Sequence, residues 1–116
     1  MSETLTVDVA DIAQRQLDAY NAQDLDKYCS YFTADVVVAD LNGAVTGEGI
    51  EAYFARYEKA FNVYPQNKAE LLNRVVVGAT VIDHEKVIRA PGGETFEVAA
   101  IYTFRGDKIA RVDFVK

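Results

Sequence analysis

The first residue that suggests chemistry is a carboxylate at the end of an apolar run. Residues 36–43 read VVVADLNG, so Asp40 follows a stretch suited to a buried strand and precedes a turn signal. If the strand alternates regularly, Asp40 shares one face with Val36 and Val38. Asp40 is then either a turn-forming residue in water, which is common before Asn-Gly, or a catalytic carboxylate that points into a pocket and acts as a general base.

Two further polar residues interrupt apolar patterns. Gln16 lies within the apolar stripe of the first predicted helix, where its amide could donate a hydrogen bond to a ligand oxygen. The alternative is that Gln16 lies at the edge of the stripe or bonds to a neighbouring strand. His84, the only histidine, shares a strand face with Ile82 and Ile88 if alternation holds. It is the second catalytic candidate, as an acid that partners Asp40 or as a donor to an oxyanion. A histidine in the core or at an interface, bonded to a nearby carboxylate, is the alternative.

Asn73 and Arg74 interrupt the run LLNRVVV, so one of the two faces inward if this strand alternates. We expect Asn73 to be the inward, substrate-binding residue. An inward Arg74 would need a carboxylate partner such as Asp113 or Glu97.

The chain is also rich in tyrosine, with seven in 116 residues. Tyrosine suits a cavity wall because it combines an apolar ring with one hydroxyl group. The remaining substrate-binding candidates are Tyr20, Tyr53, Tyr57 and Tyr102.

Hydrophobic periodicity predicts the elements that position these residues. The predicted helices span about 8–22, 25–32 and 48–62, and a strand at 35–40 separates the second from the third. Stretches rich in β-branched and aromatic residues predict four more strands, at about 71–78, 80–90, 95–105 and 108–115. We therefore expect a single α+β domain over residues 1–116, with three N-terminal helices packed on a curved, mostly antiparallel sheet.

Composition excludes several classes of partner. The net charge of −6 and the pI of about 4.7 argue against nucleic acid and anionic membranes, because both attract basic surfaces. No run reaches the length of a membrane span, and MSETLTVDVAD lacks the pattern of a secretion signal, so we expect a cytoplasmic protein.

Cys29 is the only cysteine and predicts a buried, inert thiol. One histidine and one cysteine predict no metal site.

The stretches AQRQLDAYNAQDLDKYCSYFTADVVVADLNG and TGEGIEAYF resemble the opening half of ketosteroid isomerases and of the wider nuclear transport factor 2-like, SnoaL-like superfamily. The phrase NAQDLD, the strand that ends in aspartate and the TG before the third helix carry the resemblance. It implies a cystatin-like cone in which the helices and the curved sheet enclose an apolar cavity. In ketosteroid isomerases a strand-end aspartate moves a proton between substrate carbons, and Asp40 occupies the matching position.

The resemblance does not extend to the oxyanion hole. Ketosteroid isomerases use a tyrosine and a protonated aspartic acid there, and the matching positions hold Gln16 and Ala100, while Leu41 replaces the proline that follows the base. Loss of one oxyanion donor typically lowers the rate ~10²–10³-fold, which argues against steroid isomerase activity itself. We therefore expect an isomerase-like or cyclase-like enzyme without a cofactor that acts on a small apolar carbonyl compound. The alternative is a non-catalytic module that binds a small hydrophobic ligand.

The last two predicted strands also bear on assembly. Their alternating Val, Ile and Phe residues leave an apolar sheet face without a partner. Such a face suits a symmetric interface between two copies of the chain, so we expect a homodimer.

Overall fold

The computed structural model describes residues 8–116, which contain three helices and six strands. The helices are α1 (Val9–Ala22), α2 (Leu25–Cys29) and α3 (Ile50–Val63). The strands are β1 (Phe32–Asp40), β2 (Val45–Glu48), β3 (Lys68–Val77), β4 (Thr80–Ile88), β5 (Thr95–Arg105) and β6 (Lys108–Val115). The expected α+β class, with helices packed on a mostly antiparallel sheet, is confirmed.

The six strands form one open sheet in the order β2-β1-β6-β5-β4-β3. Strands β3 to β6 form an antiparallel meander, whereas β1 runs parallel to β6. The turns before β4 and β6 contain Gly78 and Gly106, whose φ angles of 57° and 66° suit glycine in tight hairpins. These two turns join β3 to β4 and β5 to β6. Strands β4 and β5 carry most of the chemistry described below.

Aspartate residues begin the first two helices. The Asp8 side chain accepts a hydrogen bond from the Asp11 amide, and Asp24 accepts one from the Lys27 amide. Each therefore caps a helix whose first amides lack partners within the helix. Helix α2 ends at Cys29, earlier than predicted, because Phe32 already belongs to β1 and pairs with Ile109 of β6.

The third helix begins later than the sequence predicts. Residues 45–48 form the short strand β2, which pairs antiparallel with β1, and the chain then turns at Gly49 with a φ angle of 89°. A four-residue strand that is mostly exposed has no periodicity to detect. The predicted helix start at about residue 48 is therefore corrected to Ile50.

The core lies between the helices and one face of the sheet. On β4 this inner face carries the buried residues Val81, Asp83, Glu85 and Val87. Aromatic rings from the helices and β1 pack at centroid distances of 4.5 to 6.3 Å, with Tyr28 at the centre of the cluster. Large rings of this kind contribute much of the apolar burial in a small domain.

Two further expectations concern Cys29 and membrane spans. Cys29 is buried, and burial raises the pKa of its thiol to about 11, so the thiol stays protonated near neutral pH. Within residues 8–116, no helix combines the length and the apolar character that crossing a membrane requires.

Candidate functional site

A cavity of about 170 Å³ lies between the helices and the inner face of the sheet. Side chains from all three helices and from β4, β5 and β6 line it, and most of them are apolar or aromatic. An apolar cavity of about 150 Å³ is large enough for benzene. The cavity therefore has room for a fragment with one ring.

Strand β4 places a carboxylate in this cavity. Glu85 is 7% exposed and lines the cavity, and its Oε2 atom is buried without a hydrogen-bond partner among the described residues. Desolvation and the neighbouring charge of Asp83 raise the pKa of Glu85 to about 7, although Arg74 opposes the shift. Near neutral pH both protonation states of Glu85 are therefore populated, as a group that accepts and returns a proton requires.

Asp83, two residues before Glu85, is fully buried but well paired. Arg74 on β3 forms two parallel hydrogen bonds to it, Nε to Oδ1 at 2.7 Å and Nη2 to Oδ2 at 2.9 Å. The same guanidinium donates to Gln14 Oε1 on α1 at 3.1 Å. Because both oxygens of Asp83 accept from Arg74, this bidentate pair holds Asp83 in place, while no side chain of residues 8–116 pairs with Glu85.

Gln16 acts on the cavity through Tyr102. Its amide nitrogen donates to the Ala13 carbonyl at 3.0 Å and to the Tyr102 hydroxyl oxygen at 3.2 Å. The Tyr102 oxygen thus accepts a hydrogen bond, and its own O–H remains to donate into the cavity. Burial, with the nearby charges of Glu85 and Asp83, raises the pKa of Tyr102 well above its usual value, so this phenol remains a donor.

The Tyr20 hydroxyl is also held by an amide side chain. Asn67 donates from Nδ2 to the Tyr20 hydroxyl oxygen at 2.6 Å, and Arg89 donates from Nη1 to Asn67 Oδ1 at 3.1 Å. Burial raises the pKa of Tyr20 to about 12. Two of the four tyrosines that line the cavity, Tyr20 and Tyr102, are therefore protonated phenols that an amide side chain orients.

Four of the eight predicted site residues line the cavity: Gln16, Tyr20, Tyr57 and Tyr102. Their role in binding a ligand stays a prediction. Tyr53 is buried but does not line this cavity, and its hydroxyl lies 2.7 Å from that of Tyr28. Asp40, His84 and Asn73 lie elsewhere.

The expected orientation of Asp40 is wrong. A bulge between Val38 and Ala39 in the pairing of β1 with β2 breaks the alternation on which the prediction rested. As a result Val38 and Ala39 are both buried and Asp40 is exposed. The backbone of Asp40 closes the hairpin, since its carbonyl accepts from the Gly43 amide at 2.8 Å. The turn-forming interpretation is the one that fits.

His84 and Asn73 lie on the outer face of the sheet, opposite the cavity. Nε2 of His84 is 2.6 Å from Glu97 Oε1, and the His84 side chain is 42% exposed. A bulge between Leu71 and Asn73 shifts the register of β3, so Asn73 pairs with His84 and is exposed. The inward residue is Arg74 instead, and its partner is Asp83 rather than Asp113 or Glu97.

The sequence interpretation missed Glu85. In TVIDHEKVI one face of the strand carries Asp83 and Glu85 between valines, and the other carries His84 and Lys86 between isoleucines. Period two therefore does not decide which face is buried. The only available signal was that Asp83 and Glu85, two residues apart, must share a face.

Helices on one side of an open, curved sheet, with a small cavity between the layers, define a cystatin-like α+β protein. A model of the SnoaL-like domain matches residues 13–112, and the chain belongs to this family. No curated protein matches the chain significantly.

Solved structures agree with this assignment. An uncharacterised cystatin-fold protein from Novosphingobium aromaticivorans is 39% identical with a TM-score of 0.88, over 96% of this chain and 100% of that one. A Sinorhizobium meliloti protein provisionally described as a polyketide cyclase is 28% identical with a TM-score of 0.77, over 90% and 94%. A Kribbella flavida protein provisionally described as a ketosteroid isomerase is 13% identical with a TM-score of 0.76, over 90% and 73%, and shares the fold.

Proposed function

We propose that the protein catalyses proton transfer next to the carbonyl group of a small, largely apolar compound, with Glu85 as the general base. The observation that carries this proposal is the buried Glu85 carboxylate: Glu85 lines the cavity, and its Oε2 atom has no hydrogen-bond partner among residues 8–116. A buried carboxylate that served only stability would be expected to have its hydrogen bonds satisfied.

The reaction begins when the Glu85 carboxylate takes a proton from the carbon beside the carbonyl. The C–H bonding electrons move into the carbon–carbon bond, and the carbonyl oxygen becomes an enolate oxygen. The Tyr102 hydroxyl donates a hydrogen bond to that oxygen, and Gln16 keeps the hydroxyl oriented. Tyr20 is the second available donor.

The protonated Glu85 then returns its proton. If the proton goes to a different carbon of a conjugated enolate, the outcome is isomerisation of a double bond. If the enolate carbon attacks a second carbonyl, a carbon–carbon bond forms and the new alkoxide takes the proton from Glu85, which is a cyclisation. Both outcomes share the first step, and the similarity to a protein provisionally described as a polyketide cyclase supports this class of chemistry.

The first step is tested with 1-phenylbutan-1-one, a one-ring ketone that suits the volume of the cavity. Its C–H groups beside the carbonyl exchange for deuterium in D₂O when a base removes the proton, and proton NMR follows the loss of signal. We expect the protein to accelerate this exchange and Glu85→Gln to lower the accelerated rate ~10²–10⁴-fold, the usual contribution of a general base.

Two controls make the result specific. Glu58→Gln removes an exposed carboxylate from α3, and Asp40→Asn removes the exposed carboxylate at the end of β1. Both variants should exchange the ketone at the rate of the unmodified protein. Full exchange by Glu85→Gln would exclude Glu85 as the base, and loss of exchange in Asp40→Asn would return that role to Asp40.

A protein that binds the ketone without exchanging its protons would be a ligand-binding module of the same fold. Binding is followed through the ¹⁵N–¹H chemical shifts of residues around the cavity. Saturable shifts without exchange at any pH between 5 and 9 would reject the catalytic proposal.

A further inference from the structure

Basic side chains stand at the cavity although the chain as a whole is acidic. Three basic residues line it: Arg56, Arg89 and Lys116. Among residues 8–116, Glu85 is the one acidic residue that lines it. Arg56 and Lys116 are exposed, Arg89 is partly buried and Glu85 is buried. The positive charge is therefore at the solvent end of the cavity and the carboxylate at the inner end. In a chain with a net charge of −6, this is a local reversal of sign.

The arginines at the cavity differ from the others in their partners. The chain has six arginines. Four of them pair with aspartates: Arg15, Arg74, Arg105 and Arg111. Across residues 8–116, neither Arg56 nor Arg89 has a carboxylate oxygen within 4.0 Å. The two arginines that line the cavity are thus the two whose charge no side-chain carboxylate of this part of the chain neutralises.

Arg89 is held in position without a carboxylate partner. Its guanidinium carbon lies 4.3 Å from the ring centroid of Tyr64 and 4.8 Å from that of Phe96. One of its nitrogens donates to Asn67. Stacking fixes the plane of the guanidinium, and the remaining N–H groups can bind the two oxygens of a carboxylate.

Arg56 is held more loosely on the opposite side. Its guanidinium carbon lies 5.9 Å from the ring centroids of both Tyr57 and Phe114, and Nη1 donates to the Thr46 hydroxyl at 3.3 Å. Arg56 extends from α3, whereas Arg89 immediately follows β4. A ligand that enters between the helices and the sheet therefore meets a cation from each layer.

We propose that the ligand of this cavity is an organic carboxylate, with its carboxylate bound by Arg89 and Arg56 at the solvent end and its apolar, carbonyl-bearing end beside Glu85. This inference rests on the proposed function, because it names the substrate class of the same site. A carboxylate at the outer end also sets the direction in which the ligand enters, and so places its carbonyl group near Tyr102 rather than near solvent.

Two matched compounds test the proposal. 4-Oxo-4-phenylbutanoate and 1-phenylbutan-1-one contain the same phenyl ketone, and they differ only in that a carboxylate replaces the terminal methyl group. We expect the carboxylate to bind ~10-fold or more tightly at low ionic strength, as hydrogen bonds to charged groups provide. The advantage should shrink as salt is added, because the arginines are partly solvated. Affinities are measured from ¹⁵N–¹H chemical shifts.

Variants assign the effect to the arginines. Arg89→Gln and Arg56→Gln should each weaken binding of 4-oxo-4-phenylbutanoate ~10-fold more than binding of the ketone. Arg105→Gln is the matched control, because Arg105 is exposed, pairs with Asp35 and does not line the cavity. It should leave both affinities unchanged. If Arg89→Gln fails to fold, the unmodified protein still tests the carboxylate proposal. The test is then its relative affinity for the two compounds and the salt dependence of that preference.

The failure of this inference can be distinguished from failure of the proposed function. Equal affinity for the two compounds, with exchange of both, would overturn the carboxylate proposal and leave Glu85 as the base. Preference for the carboxylate, lost in the arginine variants, but no exchange of either compound would support the carboxylate site and reject the catalytic step.

Discussion

Replacement of Glu85 by glutamine should change how the stability of the fold depends on pH. Burial beside Asp83 raises the pKa of Glu85 from its ordinary value of 4.5 to about 7 in the folded protein. Because one pKa unit corresponds to about 1.4 kcal/mol, ionising Glu85 should cost the folded state ~3 kcal/mol.

The sign follows from proton binding. Between pH 4.5 and about 7 the folded protein binds the Glu85 proton more tightly than the unfolded chain does, so the free energy of unfolding falls as the pH rises. The raised pKa of Glu85 therefore adds most to the free energy of unfolding below pH 4.5. This addition is lost once the pH passes about 7. Glu85→Gln carries no ionisable group at this position and should lack this loss.

Urea unfolding at a series of pH values from 4 to 9, followed by circular dichroism, measures the effect. The difference in unfolding free energy between the unmodified protein and Glu85→Gln should move by ~3 kcal/mol in favour of the variant between pH 4.5 and 8. Other titrating groups cancel in this difference. Glu58→Gln, which removes an exposed carboxylate, should show no such movement. A difference that stays constant with pH would mean that Glu85 ionises as it would in water, so its pKa is not raised by the fold.

Three other predictions follow from the same structure. Arg74→Gln leaves the buried Asp83 without its ion-pair partner and should lower the free energy of unfolding by ~3–5 kcal/mol, measured in urea. Arg105→Gln is the control: Arg105 pairs with Asp35 on the exposed surface, so its replacement should change this free energy little. The rate of ketone exchange requires ionised Glu85, so it should rise with pH up to about 7 and then level off, and a rate that falls over this range would contradict the role of the base. Most of the Val, Ile and Phe residues of β5 and β6 on which the homodimer expectation rested are buried or line the cavity, so they do not form an exposed apolar face. The homodimer itself stays a prediction. Ile101 lies on the outer face of the sheet, so Ile101→Glu should give a monomer by light scattering, and a monomeric unmodified protein at every concentration would remove this expectation.

The fold was largely predictable because its long elements have clear periodicity. Helix α1 and strands β5 and β6 lie where the sequence pattern predicts them, since each has enough residues for alternation or a helical stripe to be unambiguous. Strands β1 and β3 begin three residues earlier than predicted, at Phe32 and Lys68. The other errors concern short elements. Helix α2 has only one turn, and β2 has four residues, so neither has a pattern that distinguishes it from a neighbouring loop or helix.

The candidate site was predictable only where a helix supplies the residue. Gln16 and Tyr20 follow from the apolar stripe of α1, because a helix face is fixed by spacing alone. On strands, one extra residue moves every later side chain to the opposite face. The bulges in β1 and β3 do this before Asp40 and Asn73.

The buried face of strand β4 could not be predicted from its sequence for a different reason. Its two faces have nearly equal polarity in sequence, and on the buried face Arg74 from β3 pairs with Asp83. That pairing depends on the bulge in β3, which no local pattern indicates. The register of the strands therefore decides that Glu85 faces the cavity. The family resemblance instead indicated Asp40, which lies on β1.

The proposed function requires Glu85 to be a desolvated carboxylate that can exchange a proton near neutral pH. A titration of its side-chain carboxyl carbon by ¹³C NMR, assigned by its absence in Glu85→Gln, measures the pKa of this group. We expect a midpoint at about pH 7. A midpoint near the ordinary value of 4.5 would mean that Glu85 is not desolvated and would exclude this role.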